Sequence, residues 1–182
     1  MRNLRWTIPT LALAALLAAG CILVSGQFIV SYDLPDPVTI ASPADVQRAS
    51  VDLNTVSTYQ DHKSDLKGLS DVAILGEFTN TGDVPVSVEL WMTPTLTDLG
   101  DAASVITAPG AVKVWGPLRL AVDATTKITW DQSAALFQSG KTALLAEIKG
   151  DGVFTLYALG ARGDYSFRID HGVLVAVIDA GK

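Results

Sequence analysis

Short segments in which apolar and polar residues alternate recur along this chain, and they constrain its fold more than any other feature. In residues 28–34 one face is Phe, Val, Tyr and Leu, and the other is Ile, Ser and Asp. A period of two places successive side chains on opposite faces of a β-strand, and strands with one buried face are typical of antiparallel sheets. The same alternation occurs in residues 47–54, 84–92 and 165–170.

Three further segments are apolar on both faces over part of their length and predict central strands: 72–78, 153–159 and 173–178. Shorter strands are expected at 125–130 and at 112–122, the latter broken near its Gly-Pro pair. Residues 81–83 and 162–164 carry Gly and Asp between strands and predict hairpin turns. About eight strands with turns roughly every ten residues indicate an Ig-like antiparallel β-sandwich.

Two stretches depart from this pattern and predict short helical insertions. Residues 58–69 start beside cap-forming hydroxyls and carry Gly68 near the end. Residues 131–149 begin at Asp131 and contain many helix formers, with an interruption at Gly140, which predicts one broken helix or two short ones. The expected fold class is mainly β. Residues 80–86, Asn-Thr-Gly-Asp-Val-Pro-Val, resemble the turn region of Ig-like sandwiches of the late-embryogenesis-abundant kind.

The N-terminus has the layout of a secretory signal peptide. Arg2 and Arg5 precede an apolar run of nine residues, 11–19, and small residues follow up to Cys21. Residues 17–21, Leu-Ala-Ala-Gly-Cys, resemble the lipobox of bacterial lipoproteins, except that Ala18 stands where leucine is usual. That resemblance implies a lipid thioether on Cys21 and cleavage just before it.

The resemblance divides the chain into a signal peptide (1–20), the lipidated Cys21 with a short linker (21–27), and a sandwich domain (28–182). Six residues then separate Cys21 from the first predicted strand, which span at most about 20 Å. Because Ile22, not Asp, follows the cysteine, the lipobox resemblance favours transfer to the outer membrane, facing the periplasm.

An uncleaved transmembrane anchor is the alternative. No charged residue occurs from Trp6 to Tyr32, and roughly 20 apolar residues suffice to cross a bilayer. Gly20 and the Ser25-Gly26-Gln27 stretch interrupt the run, however, which favours cleavage.

Charge and cysteine content exclude some partners and stabilising devices. The formal net charge of the full chain is −6 and becomes −8 when Arg2 and Arg5 are removed with the signal segment. An acidic surface repels phosphate backbones, so nucleic acid is not an expected partner. With one cysteine there is no internal disulfide, and the fold must rest on packing.

Three tryptophans are candidates for binding an apolar ligand or a partner: Trp91, Trp115 and Trp130. Trp91 and Trp115 fall on the less apolar faces of their predicted strands, and Trp130 at a strand end. They could line a groove, because Trp is enriched at interfaces. The alternative is that they belong to the inter-sheet core or cover an edge of the sandwich.

No residue pattern predicts catalysis, a metal site or a cofactor. His62 lies beside Asp61 on the predicted helix, where adjacent side chains do not face one another. His171 falls in an Asp-His-Gly turn or bulge between two strand segments. The G-x-S-x-G, Walker-type and G-x-G-x-x-G motifs do not occur.

These observations lead to two functional hypotheses. The first is a non-enzymatic, lipid-anchored protein of the cell envelope whose sandwich binds or assembles with another envelope protein. The second is a carrier of lipid or another apolar ligand, which the three tryptophans and the positive mean hydropathy favour. An enzyme would need a polar cluster that the sequence does not contain.

Overall fold

Two antiparallel β-sheets packed face to face form the body of the protein in the computed structural model, which describes residues 26–44, 46–137, 140–161 and 163–181. The strands are β1 (Gly26–Asp33), β2 (Val38–Ile40), β3 (Gln47–Asp52), β4 (Leu66–Asn80), β5 (Val86–Thr93), β6 (Val112–Leu120), β7 (Thr125–Ile128), β8 (Val153–Gly160) and β9 (Phe167–Ala180). The helices are α1 (Ser57–His62), α2 (Ala102–Thr107), α3 (Trp130–Leu136) and α4 (Gly140–Lys149). The predicted signal segment and Cys21 lie outside these ranges. Within them, no helix is long and apolar enough to cross a membrane.

The first sheet has five strands in the order β1-β9-β4-β7, and β2 also pairs with β9 beyond the end of β1. The second has four strands in the order β3-β8-β5-β6. The predicted antiparallel β-sandwich with short helical insertions is therefore confirmed. Its first strand begins at Gly26, two residues before the predicted domain start.

The core fills the space between the two sheets with one face of each strand. From the five-stranded sheet it takes Val30, Ile74, Phe78, Phe167, Ile169 and Ile178, and from the four-stranded sheet Val51, Val88, Leu90, Met92, Phe154 and Leu156. All of them are buried. Burying a side chain of this size stabilises the fold by about 1.5–3 kcal/mol relative to leaving it exposed, so the alternating pattern accounts for the sandwich.

One side of the sandwich is closed by α3 and α4, which pack against both β4 and β6. The capping pair Thr129 and Gln132 starts α3, with the Gln132 side chain accepting a hydrogen bond from the Thr129 backbone N–H at 3.0 Å. On α3, the fully buried Ser133 hydroxyl accepts hydrogen bonds from the Ile74 backbone N–H (2.7 Å) and from Trp115 Nε1–H (3.0 Å). Ser133 thus joins the helix to both sheets.

The outer face of the four-stranded sheet is covered by α2. Val105 of this helix packs with Tyr157 and Leu159 of β8, and all three are buried. Asp101 caps α2 by accepting a hydrogen bond from the Ser104 backbone N–H at 2.9 Å. No helix was predicted here, although an Asp followed by Ala-Ala-Ser is a readable start signal.

The helix predicted at 58–69 is shorter than expected. It ends at His62, a 3₁₀ turn follows at Lys63–Asp65, and β4 already begins at Leu66, opposite Ala180 of β9. Gly68, taken as a helix end, lies opposite Asp179 within the strand pair. The pairing with β9 therefore overrides local helix preference.

The two predicted hairpins are also wrong, because the strands they join lie in different sheets. Residues 81–85 connect β4 of one sheet to β5 of the other, and the chain after residue 160 connects β8 to β9 in the same way. Gly and Asp suit any tight turn, so they do not specify pairing of the flanking strands. Residues 167–170 of one predicted strand and all of the predicted strand 173–178 belong to the single strand β9, and the predicted turn or bulge between them is a bulge.

Candidate functional site

Trp115 lies in the inter-sheet core, which was the alternative to a position in a ligand groove, although strict alternation placed it on the less apolar face of its strand. It is 1% exposed and stacks on Phe78 with ring centroids 5.4 Å apart. The alternation fails at this point because Leu90 is opposite Trp115 while Trp91 is opposite Lys113, which leaves Val114 as an extra residue. This irregularity buries two consecutive side chains, a known effect of β-bulges.

Trp91 and Trp130 are half-buried, and they lie on different parts of the sandwich. Trp91 packs under α2 on the outer face of the four-stranded sheet, with its Nε1–H 3.3 Å from Glu89 Oε2. Trp130 starts α3 and donates a hydrogen bond to Asp71 Oδ2 at 2.7 Å. Burial raises the pKa of Asp71, but the hydrogen bonds from Trp130 and Val72, together with the nearby Lys141, outweigh burial and lower the pKa. The three tryptophans thus occupy separate environments, and a ligand role for Trp91 and Trp130 stays a prediction.

The two histidines are exposed and lie apart, His62 at the end of α1 and His171 in β9. The His62 ring lies 4.6 Å from that of Phe28. His171 lies in the β9 bulge with a left-handed backbone (φ 55°). In the part of the chain that the structure describes, no three His, Cys, Asp or Glu side chains are grouped so that they could hold a metal ion.

The strongest candidate site is an apolar cleft between the sheets, on the side opposite α3 and α4. Its inner wall is formed by Ile74 and Ile169 of the first sheet and by Leu90, Leu156 and Ala158 of the second. About 410 Å³ of space is not filled by atoms here, but this figure includes open solvent at the mouth, and the enclosed inner part is narrow. An opening of this kind admits a slender apolar group.

The mouth of the cleft is set by two short edges of the sandwich. Leu34, Pro35 and Val38 form one lip, and Gln47, Arg48 and Ala49 of β3 form the other. Nearby, the Tyr32 hydroxyl of β1 donates to the Ser50 carbonyl at 2.8 Å, which ties the two edges together. Arg48, the cation at this mouth, forms an ion pair with Asp98.

The lip that contains Leu34 is held in place by the β9 bulge. Leu34 N–H donates to the Gly172 carbonyl at 2.9 Å, and His171 N–H donates to Asp36 Oδ1 at 2.9 Å. His171 Nδ1 lies 3.0 Å from the other carboxylate oxygen of Asp36. The backbone hydrogen bond from His171 is the main cause of the lowered pKa of Asp36. An ionised Asp36 therefore positions the lip at neutral pH.

The sequence carried little signal for this cleft. Its walls come from six strands and one loop that are distant along the chain, and each residue reads as ordinary core or turn. Only the two prolines of residues 34–37 marked an unusual edge. The cleft walls contain no pair of titratable groups suited to acid–base chemistry, and they offer burial of apolar surface together with one cationic side chain.

Comparison with known proteins gives no functional assignment. No protein-family model matches the chain, and no curated protein sequence matches it. Among solved structures, the fold is similar to a chain of turnip yellow mosaic virus, with a TM-score of 0.35 and 8% sequence identity. The alignment covers 88% of this chain and 82% of that one. A likeness at this level carries no information about activity.

Proposed function

We propose that this protein is a lipid-anchored component of the cell envelope whose sandwich domain is a non-enzymatic binding module for another envelope protein. The anchor is the lipid on Cys21, and the membrane is the outer membrane, with the domain facing the periplasm. Four residues, 22–25, separate Cys21 from β1. At roughly 3.3–3.6 Å per residue the domain is then within about 18 Å of its anchor.

The observation that carries the binding role is the open apolar side of the sandwich. Helices α3 and α4 cover one side, and α2 covers the outer face of the four-stranded sheet. The side formed by β1, β2 and β3 is covered only in part: α1 packs against β1, with the His62 ring beside Phe28. The apolar cleft near β2 and β3 has no helix residue in its lining. Apolar surface of this kind is where a second molecule gains most from removing water.

Purification in mild detergent from the native host, followed by intact mass measurement, tests this proposal. We expect an acylated chain that begins at Cys21, together with a stoichiometric protein partner. Replacing Ala158 in the cleft with Leu should reduce the recovered partner at least tenfold, because it fills the space the partner would enter. The matched control is Ala121→Leu at an exposed site. An intact Met1 with unmodified Cys21 would contradict the anchoring, and full recovery with Ala158→Leu would contradict the role of the cleft.

The second candidate function is carriage of a single-chain amphiphile, and the shape and charge of the cleft favour it. The lining of the cleft is apolar, as a site for an alkyl chain requires, and Arg48 at the mouth would exchange its ion pair with Asp98 for an anionic end group. A fluorescent fatty acid should then bind saturably with a blue shift. Arg48→Gln should weaken the acid but not its methyl ester, since only the acid carries charge. Equal effects on both probes, or no saturable binding, would exclude this function.

A further inference from the structure

The free edges of the two sheets differ in how they are protected against pairing with another strand. In the five-stranded sheet, β7 has four residues, among them Lys127, and β2 has three and follows Pro37. Short edges, lysines and prolines are devices that prevent edge-to-edge association. Both of these edges are therefore protected.

The edges of the four-stranded sheet are protected as well. The outer strand β3 carries Arg48 and Asp52, and β6 carries Lys113, Pro117 and Arg119. Charges and a proline on an edge oppose strand addition by the same logic. In addition, α4 packs against β6.

The remaining edge strand, β1, lacks the sequence devices of the other edges, and helix α1 packs against it beside Phe28. The eight residues of β1 contain no proline and no lysine, and the only charge is Asp33 at its end. Within the described ranges, β9 is the only strand that pairs with it. Phe28 and Tyr32 face the interior like Val30, where Phe28 meets His62 of α1 and Tyr32 donates to the Ser50 carbonyl of β3. The alternate residues Gln27, Ile29 and Ser31 are exposed. Ile29 on the outer face is 62% exposed.

We propose that β1 pairs antiparallel with β1 of a second copy, which joins the two five-stranded sheets into one continuous sheet. Opposite residues of an antiparallel pair lie on the same face of the sheet. When β1 pairs with its own copy, an odd-numbered residue is therefore opposite an odd-numbered one, and an even-numbered residue is opposite an even-numbered one. Among the registers that leave both copies of Asp33 outside the pairing, the longest places Ile29 opposite its own equivalent. Phe28 then meets Val30, and Gln27 meets Ser31.

A second copy fits this edge because the strand is complementary to itself. A two-fold axis brings the same patch together from both molecules, and here that patch is uncharged, so pairing creates no like-charge contact. The exposed Ile29 side chains cover each other on the outer face, in line with the half-buried Val175 and Val177 of β9. Anchoring of both copies in one membrane, under the proposed function, would raise their effective concentration.

Cysteine cross-linking of the full-length protein in detergent tests the pairing and its register. Ile29→Cys places two thiols directly opposite each other, within the range of a disulfide. Ser31→Cys is the matched control on the same face: in this register its two copies are about 14 Å apart, too far to bridge. The wild-type chain, in which Cys21 is the one cysteine, is the background control.

We expect a covalent dimer with Ile29→Cys and monomers with the other two proteins. A dimer of Ser31→Cys alone, or no dimer with either variant, would overturn the proposal. Cross-linking of Ile29→Cys to a different polypeptide would show that another protein takes this edge. Cross-linking of the wild type would reveal a free Cys21, which contradicts the lipid anchor without bearing on β1.

Sedimentation in detergent provides an independent measurement with a variant that should fold. Ile29→Lys changes an exposed side chain, and Val122→Lys is the matched control at another exposed apolar residue, 41% exposed. The wild type and Val122→Lys should sediment as dimers. The affinity of Ile29→Lys for itself should be at least tenfold lower. A wild type that is monomeric at all concentrations would refute the pairing.

Discussion

The Ser133 hydroxyl shows how one small polar atom can hold a helix and two sheets together. It accepts hydrogen bonds from a backbone N–H of β4 and from the indole of Trp115, and it is 0% exposed. Ser133→Ala would leave both donors buried without a partner, which costs about 1–3 kcal/mol for each such group. We expect a loss of about 2–4 kcal/mol in the free energy of unfolding in urea.

The control for this prediction is Ser64→Ala, because the Ser64 side chain is exposed and its removal should change stability by less than about 0.5 kcal/mol. If both variants unfold at the same urea concentration, Ser133 is not the link between α3 and the sheets.

Asp36 makes the lip of the cleft sensitive to acid. Its pKa is lowered, mainly by the hydrogen bond from the His171 backbone N–H. A carboxyl group with a lower pKa in the folded than in the unfolded state stabilises the fold above its unfolded pKa, near 3.9. That contribution is lost as the pH falls through the folded pKa. Asp36→Asn should therefore unfold at lower urea than wild type at about pH 6, with the difference shrinking by about pH 2.5.

Asp83→Asn, at an exposed residue in the connection after β4, is the control for this experiment. It should show no such change between the two pH values. A constant difference between Asp36→Asn and wild type at both pH values would mean that the charge of Asp36 does not stabilise the lip.

At the scale of single residues, strand periodicity predicted the buried face well but failed at one consequential point. Val86, Val88, Leu90 and Met92 are buried as their alternation requires. Trp115 is not where its alternation places it, since one additional residue in β6 turns it into the core. Local sequence does not reveal such a bulge, because the bulge is defined by the partner strand.

At the scale of elements, the close packing of α4 on β6 requires glycine at position 140. A Cβ on Gly140, the first residue of α4, would lie 2.2 Å from the Cα and the carbonyl oxygen of Val114. These are backbone atoms, so the helix or the strand would have to shift. Gly140→Ala should destabilise the protein by about 1–3 kcal/mol, measured by urea unfolding.

Gly100 offers a matched test, since a Cβ there meets nothing within 4 Å. Gly100→Ala should be neutral or stabilise by up to about 1 kcal/mol by restricting the unfolded chain. Equal losses in both variants would point to a general effect of replacing glycine and would refute the close approach of α4 to β6.

Element boundaries were predictable only where local preference and pairing agree. The segment after His62 has helix signals, yet β4 extends back to Leu66 because the long strand β9 pairs with it as far as Ala180. The turns at residues 81–83 and 162–164 have hairpin chemistry, yet the strands around them belong to different sheets. Turn residues report that the chain reverses and not which strands become neighbours.

At the scale of the whole molecule, the alternating pattern sufficed for the sandwich, whereas the cleft depends on which strands lie at the open side. Leu34, Arg48 and Leu156 are far apart in sequence and meet only through strand order. The unprotected edge of β1, in contrast, had a sequence signal, because no charge occurs from Trp6 to Tyr32. That stretch also contains the segment that resembles a lipobox, so one uncharged stretch includes both the proposed anchor and the proposed pairing strand.

Fold and anchor should be separable, because the buried core of the described residues runs from Val30 to Ile178. We expect that replacing residues 1–21 with an ordinary cleavable secretory signal releases the protein into the soluble periplasmic fraction. Its urea midpoint should equal that of the lipidated form. In the matched control, the new signal is followed by residues 17–21 of this chain, so that the lipobox and Cys21 are retained. This protein should stay with the membrane. Retention of the cysteine-free form in the membrane fraction would mean that the sandwich itself, through its open side or a partner, holds the protein there.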